Sequence, residues 1–390
     1  MLGAIIGDIV GSVYEFNNIK TKDFPLFSKK SEPTDDSIMT LAVCGAIQKG
    51  YADEPKRIVE TLKKWGRLYP NAGYGGRFIN WIFSDNGEPY SSCGNGSAMR
   101  ISTAGWYGRD EEEVKELAHN LTAVTHNHPE GLKGAEVTAM CVYYARTGKS
   151  KEFIKNYVSQ YYDLNFDYEE LRRTYVHGLE ICQITVPQAI YCFLISTDFE
   201  DCLRTTISIG GDCDTTAAIS CAIAEAYYKD IDVNIISKTM EILKTHDVDG
   251  NIFEVLNDFL NYKACALANT QIITEDTRLI GIEEINNSKK VLSFIHSNEV
   301  KVFNEYLMWF YLREYDNEFK PCDFYLNMSE DEKKLIEIKD WEDLKQINSN
   351  IENVEYKLFD SAKEAIEYLN DNYNLNNHHL ADVFEREYYR

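Results

Sequence analysis

Positive charge is what this sequence most lacks. Its 390 residues hold 40 Lys and Arg against 63 Asp and Glu, a net charge of −23, and the pI lies near 4.8. Such a chain has little basic surface with which to release counterions from a phosphate backbone. That argues against general nucleic-acid binding and against attraction to anionic membranes. No apolar run reaches the ~20 residues that span a bilayer. The start, Met1-Leu2-Gly3-Ala4-Ile5-Ile6-Gly7-Asp8, has no basic region and carries an aspartate in its apolar stretch, so it does not read as a secretory leader. None of the ten cysteines stands in C-x-x-C spacing, which removes support for a zinc or redox motif. Most lie in apolar runs such as Ile219-Ser220-Cys221-Ala222 and read as small core residues of a reducing compartment. The expected location is the cytoplasm.

What is present divides into two textures. With 44% hydrophobic and 13% aromatic residues the chain is globular and long enough to bury a large core. Residues 1–264 show helical periodicity and little strand alternation, giving an all-α, many-helix domain. Gly3, Gly7 and Gly11 form an i, i+4 stripe that invites close approach of another helix. Helices are expected over Ile38–Lys49, Pro55–Tyr69, Glu111–Ala123, Gly131–Ala145, Lys151–Tyr162 and Pro187–Ser196. Thr216–Tyr228, rich in alanine, is expected to be a buried core helix. Residues 265–390 hold a single glycine, Gly281, and 14 Lys and Arg against 26 Asp and Glu. Two capping boxes, Ser329-x-x-Glu332 and Ser361-x-x-Glu364, and the β-like runs Gln271–Thr274 and Val354–Phe359 predict a smaller, acidic α+β accessory domain.

Two loops carry the chemistry. In Pro33-Thr34-Asp35-Asp36-Ser37, a threonine and two aspartates sit where a helix begins. Helix capping accounts for one such residue; adjacent carboxylates repel unless a cation compensates. On this segment alone both readings stand. Gly210-Gly211-Asp212-Cys213-Asp214-Thr215-Thr216 repeats the pattern before the alanine-rich helix, and an extended backbone would turn both carboxylates of Asp-x-Asp to one point. Four carboxylates and two hydroxyls are hard oxygen donors, suited to Mg²⁺ or Mn²⁺ and not to zinc. A two-metal hydrolase site is the expectation.

Six motifs in order give the chain a family resemblance. They are Gly3-Ala-Ile-Ile-Gly-Asp-Ile-Val-Gly-Ser-Val-Tyr-Glu15-Phe, Pro33-Thr-Asp-Asp-Ser-Ile-Met-Thr-Leu-Ala, Tyr74-Gly-Gly-Arg-Phe, Gly94-Asn-Gly-Ser-Ala-Met-Arg100, Thr125-His-Asn-His-Pro and Gly210-Gly-Asp-Cys-Asp-Thr-Thr. Over residues 1 to about 262 the sequence resembles the ADP-ribosylglycohydrolases. The resemblance implies an all-α domain and a binuclear Mg²⁺ or Mn²⁺ centre held by Thr34, Asp35, Asp36, Asp212, Asp214 and Thr215. It implies Glu15, with Asp35, Asp36 and Asp214, as the catalytic carboxylates. Tyr74, Gly75, Ser92, Gly94, Asn95, Gly96 and His126 would contact the substrate. His128 reads as a structural histidine before Pro129, and Arg100 as a structural partner of Asp8 or Asp36.

The implied reaction is hydrolysis at C1″ of ADP-ribose, releasing it from an acceptor, with a modified protein side chain, arginine first, as the expected substrate. Two other readings are a non-catalytic ADP-ribose-binding protein, and an immunity or antitoxin protein that engages an ADP-ribosyltransferase through residues 265–390. The acidity of those residues points to a basic protein partner.

Overall fold

The computed structural model describes residues 1–178 and 180–273 and the strands 291–296, 299–302 and 354–359; side chains are described only as far as Lys263. The chain divides into two compact units, Met1–Phe259 and Leu260–Arg390.

The first unit is helical. Its elements are α1 (Leu2–Gly11), α2 (Asp35–Gln48), α3 (Pro55–Leu68), α4 (Gly76–Phe83), α5 (Gly96–Met99), α6 (Ser102–Tyr107), α7 (Glu111–Ala123) and α8 (Pro129–Arg146). There follow α9 (Lys151–Val158), α10 (Tyr168–Thr174), α11 (Cys182–Ile195), α12 (Phe199–Ser208), α13 (Cys213–Tyr228), α14 (Val233–His246) and α15 (Asn251–Ile273). The last contains both the unit boundary and the 264/265 step seen in composition. Among the described residues no helix is long and apolar enough to cross a membrane.

Two apolar helices make the centre. Every residue of α1 is buried, and α13 is buried from Cys213 to Ala226. The glycine stripe explains how they meet. A Cβ at Gly3 would stand 2.2 Å from the Cys221 carbonyl oxygen, one at Gly7 2.4 Å from that of Ala217, and one at Gly11 2.4 Å from the Asp214 Cα. Backbone therefore lies on backbone, which only hydrogen side chains permit. Helices α8, α11 and α12 close around α13, and α2, α5 and α6 pack on the same core.

Helix starts separate structural acids from the rest. Asp110, Ser150, Asp167, Asp198 and Asp232 each accept a backbone N–H in the first turn of the helix they cap, worth about 0.5–2 kcal/mol apiece. His128 does the same for α8 through the Glu130 N–H at 3.1 Å, the structural role expected of it. Thr34 and Asp212, at the starts of α2 and α13, make no such bond. Thr34 therefore does not act as the side-chain cap of α2.

Two expected elements differ. Pro187 lies inside α11 rather than opening it; a proline there removes the bond to the Gln183 carbonyl and crowds it, and tertiary packing of a buried helix overrides that cost. Gln271–Ile273 ends α15 instead of starting a strand, because the preceding Ala264-Cys265-Ala266-Leu267-Ala268 run extends the helix. In the second unit, β1 (Val291–His296) pairs antiparallel with β2 (Glu299–Val302) and with β3 (Val354–Phe359), in the order β2-β1-β3. The strand expected at Val354–Phe359 is present. Both capping boxes lie outside the described residues.

Candidate metal centre and active site

The tight α1–α13 contact places Asp8 beside Asp214. Asp8 is fully buried and accepts four hydrogen bonds. The Thr34 N–H donates at 2.9 Å, the Thr34 hydroxyl at 2.6 Å and the Ser37 N–H at 3.0 Å, and the Ser37 hydroxyl donates as well. It thus fixes the loop entering α2. With its proton turned to Asp8, the Thr34 oxygen keeps lone pairs for a cation, the usual way an outer ligand orients an inner one.

Two overlapping groups of carboxylates result. Asp8, Asp36 and Asp214 bring one oxygen each within 4.8 Å of one another, and so do Glu15, Asp212 and Asp214. Asp214 belongs to both. Thr215 donates its hydroxyl to Asp36 at 3.1 Å, and its N–H to Asp214 at 2.9 Å. Asp212 and Asp214 converge although Asp212 (φ −77°, ψ 71°) caps a helix whose first turn carries Asp214. The extended backbone expected for this pair is not needed: the helix start brings the carboxylates together.

The electrostatics are those of crowded anions. Burial first, then the charges of neighbouring aspartates, raises Asp36 and Asp214 well above the carboxylate range. Burial pushes Asp8 up to about 6 against its hydrogen bonds. Asp35 rises to about 8 through burial and then the charges of Asp8, Asp212 and Glu15. Burial also raises Asp212, opposed by hydrogen bonds with Asp214 and Asn95. Asp36 Oδ1 is buried with no partner. Among the described residues the cluster's only basic neighbour in ion-pair range is His177 at Glu15. A hard cation would relieve each of these features, and the donor set fits one.

Glu15 reaches the cluster from a turn just beyond α1, its N–H bonded to the Gly11 carbonyl at 3.1 Å. Its side chain is half-buried. Burial, then the charge of Asp212, raises its carboxyl, against a hydrogen bond from His177. His177 is raised in turn: burial lowers it, and the Glu15 hydrogen bond with the charges of Glu180 and Asp212 outweighs that.

The expected substrate residues gather unevenly. Asn95 donates to Asp212 Oδ2 at 2.5 Å and to Thr185 Oγ1 at 3.0 Å, tying the Gly94–Gly96 loop to the acids. Ser92 accepts the Gly94 N–H at 3.1 Å. His126 lines that loop, and a Cβ at Gly96 would stand 3.4 Å from its Nε2. Burial, then Arg100 and Arg77, lowers His126 well below its ordinary range, so the ring is neutral. Tyr74 is buried with its hydroxyl unpartnered, and the charge of Asp35 reaches it. Gly75 is exposed at the start of α4, and among the described residues no contact joins it to the acids. Arg100 does not pair with Asp8 or Asp36. It donates to Thr125 Oγ1 at 2.6 Å and lies over the Phe78 ring.

Sequence reasoning missed four residues. Asn18 donates to the Tyr14, Glu15 and Gly211 carbonyls and accepts the Gly211 N–H at 2.7 Å. Lys20 donates to the Tyr175 and Ile209 carbonyls. Asp8 and His177 complete the set. Positive φ at Gly210 (75°) and Gly211 (67°) belongs to the same seam: a Cβ there would meet Lys20 Nζ and the Tyr175 ring.

The carboxylate cluster, Glu15 included, has the donor chemistry of a hard-cation site. The chain belongs to the ADP-ribosylglycohydrolase family, whose model matches residues 1–257, and it is a glycohydrolase. It is 28% identical to the ADP-ribosylhydrolase ARH3 of Gallus gallus, over 58% of this chain and 84% of that one. It is 26% identical to the ADP-ribosyl-dinitrogen reductase glycohydrolase of Rhodospirillum rubrum, over 58% and 83%. A solved chain of an ADP-ribosylglycohydrolase-related protein complex aligns with TM-score 0.45 and 20% identity, over 62% of this chain and 96% of its own.

Proposed function

We propose that this chain hydrolyses the bond at C1″ of ADP-ribose and frees ADP-ribose from a modified protein side chain. Two divalent ions, Mg²⁺ or Mn²⁺, would be held by Thr34, Asp35, Asp36, Asp212, Asp214 and Thr215. The observation that carries this is that Asp36, Asp212 and Asp214 lie in two overlapping carboxylate groups sharing Asp214, the other members being Asp8 and Glu15; Asp35 is in neither group. When bound, the ions supply Lewis acidity and a template for ribose hydroxyls.

The chain's own residues do the rest. Glu15, its carboxyl raised from its ordinary value mainly by burial, accepts a proton from water as its oxygen bonds to C1″; the acceptor leaves with its bonding electrons and takes up a proton. The Gly94–Gly96 backbone approaches the phosphates without side-chain interference, and neutral His126 lines that wall. The rim carries Glu15, Glu180 and the exposed Phe16 ring. Carboxylates and an aromatic face favour a cationic acceptor, hence arginine first. All six donors and Glu15 are present, which speaks against a non-catalytic role. The acidity of residues 265–390 supports a basic protein partner. The cysteines whose side chains are described are free thiols, which supports a cytoplasmic location.

The test is a panel of ADP-ribosylated arginine, serine, acetyl and nucleic-acid substrates, with and without Mg²⁺ or Mn²⁺, read as released ADP-ribose. Release that needs metal and is fastest from arginine is expected. No release from any member would overturn the reading.

A further inference from the structure

Glu15 stands on a solvent-facing segment, next to the like-charged Asp212, and something must hold it there. Its neighbour Phe16 is 75% exposed and Val176, on the facing loop, 60%, so these two segments do not meet in a core. Lys20 ties their bases through the Tyr175 carbonyl, and His177 joins them at the Glu15 side chain itself. Its Nε2 lies 3.1 Å from Glu15 Oε1, and its Nδ1 lies 3.1 Å from Glu180 Oε1. The Glu15 contact is a hydrogen bond and the Glu180 contact lies in ion-pair range, so carboxylates engage the ring from two sides. The Phe16 ring covers the imidazole at 5.2 Å.

The far end of the bridge is anchored. Glu180 Oε1 accepts the Gly178 N–H at 2.8 Å, and the Glu180 carbonyl accepts the Asn95 N–H at 3.1 Å. Asn95 in turn holds Asp212. A continuous path runs from the acidic cluster through Asn95, Glu180 and His177 back to Glu15.

We propose that His177 is a positioning residue that holds Glu15 over the cluster by bridging it to Glu180. This rests on the reading of Glu15 as the proton acceptor. Removing the bridge frees the Glu15 side chain to swing out of position, so the chemical step slows while substrate binding persists.

The experiment uses the full chain with metal and two readouts, ADP-ribose release and hydrogen exchange of residues 12–18. His177→Ala should lower kcat roughly 10–100-fold, as loss of an orienting partner does, with KM nearly unchanged. His177→Gln, which keeps an N–H donor, should recover most of the loss. In a Glu15→Gln background His177→Ala should add nothing. Exchange in 12–18 should rise in His177→Ala and fall back in His177→Gln. Losses that multiply with Glu15→Gln, a loss confined to KM, or equal losses in the Ala and Gln variants would overturn the proposal. So would unchanged exchange, whatever the activity. If the unsubstituted chain releases no ADP-ribose, the functional reading fails by itself, and the exchange result still decides the bridge.

Discussion

Asp36 and Asp214 sit in the first turns of buried helices, whereas Glu15 and His177 sit on surface turns joined by hydrogen bonds. The floor of the site is set by the approach of α1 to α13, and a shift there must move several helices. The rim is set by a few polar contacts between segments far apart in sequence. On the proposed function, ion binding would belong to the rigid part and proton transfer to the adjustable part, so that acceptor preference could change without rebuilding the metal centre.

The sharpest way to break this division is to empty the floor. An Asp212→Ala/Asp214→Ala chain should lose metal binding, by calorimetry, and more activity than the roughly 10²–10⁴-fold that a general base supplies; full activity would sink the metal assignment. Glu15→Gln should cost roughly 10²–10⁴-fold in kcat while Mn²⁺ affinity holds, separating rim from floor. A parallel loss of affinity would instead make Glu15 an ion ligand. Asn95→Ala removes the partner that orients Asp212 and should weaken metal binding roughly 10–100-fold, seen as a rightward shift of the Mn²⁺ activation curve.

The smaller effects concern stability. A carboxyl raised in the folded chain binds its proton more tightly there than when unfolded. Asp8 at about 6 and Asp35 at about 8, against an ordinary 3.8, therefore favour folding fully below 3.8, and that contribution is lost as pH rises through 6 and then 8. The metal-free melting temperature should fall between about pH 5 and pH 8, and Mg²⁺ should restore more at the upper end. A flat profile would contradict the crowding of the cluster. Gly7→Ala, whose Cβ would sit 2.4 Å from a backbone oxygen, should cost about 1–3 kcal/mol of overpacking, or roughly 2–4 °C of melting temperature per kcal/mol.

Much of the floor was legible in the sequence. The glycine stripe announced the close helix contact, and the two acid-and-hydroxyl loops announced hard-oxygen chemistry. Helix α7 has the expected bounds because an acidic cap, three glutamates and a clear apolar face agree. Of the rim, Glu15 came only through the family resemblance and His177 not at all. His177 and Glu15 are 162 positions apart, and Asn18 and Gly211 are 193 apart; such polar contacts leave no periodic trace. Asp8 looked like an interruption in an apolar helix, and only its four donors reveal its work. Pro187 misled for the opposite reason, since burial overruled a strong local signal.

The Asn18 side chain clasps the Gly211 peptide from both sides while also holding the Glu15 carbonyl. One carboxamide thus fastens the turn before α13 to the segment bearing Glu15, and its loss would loosen both loops at once.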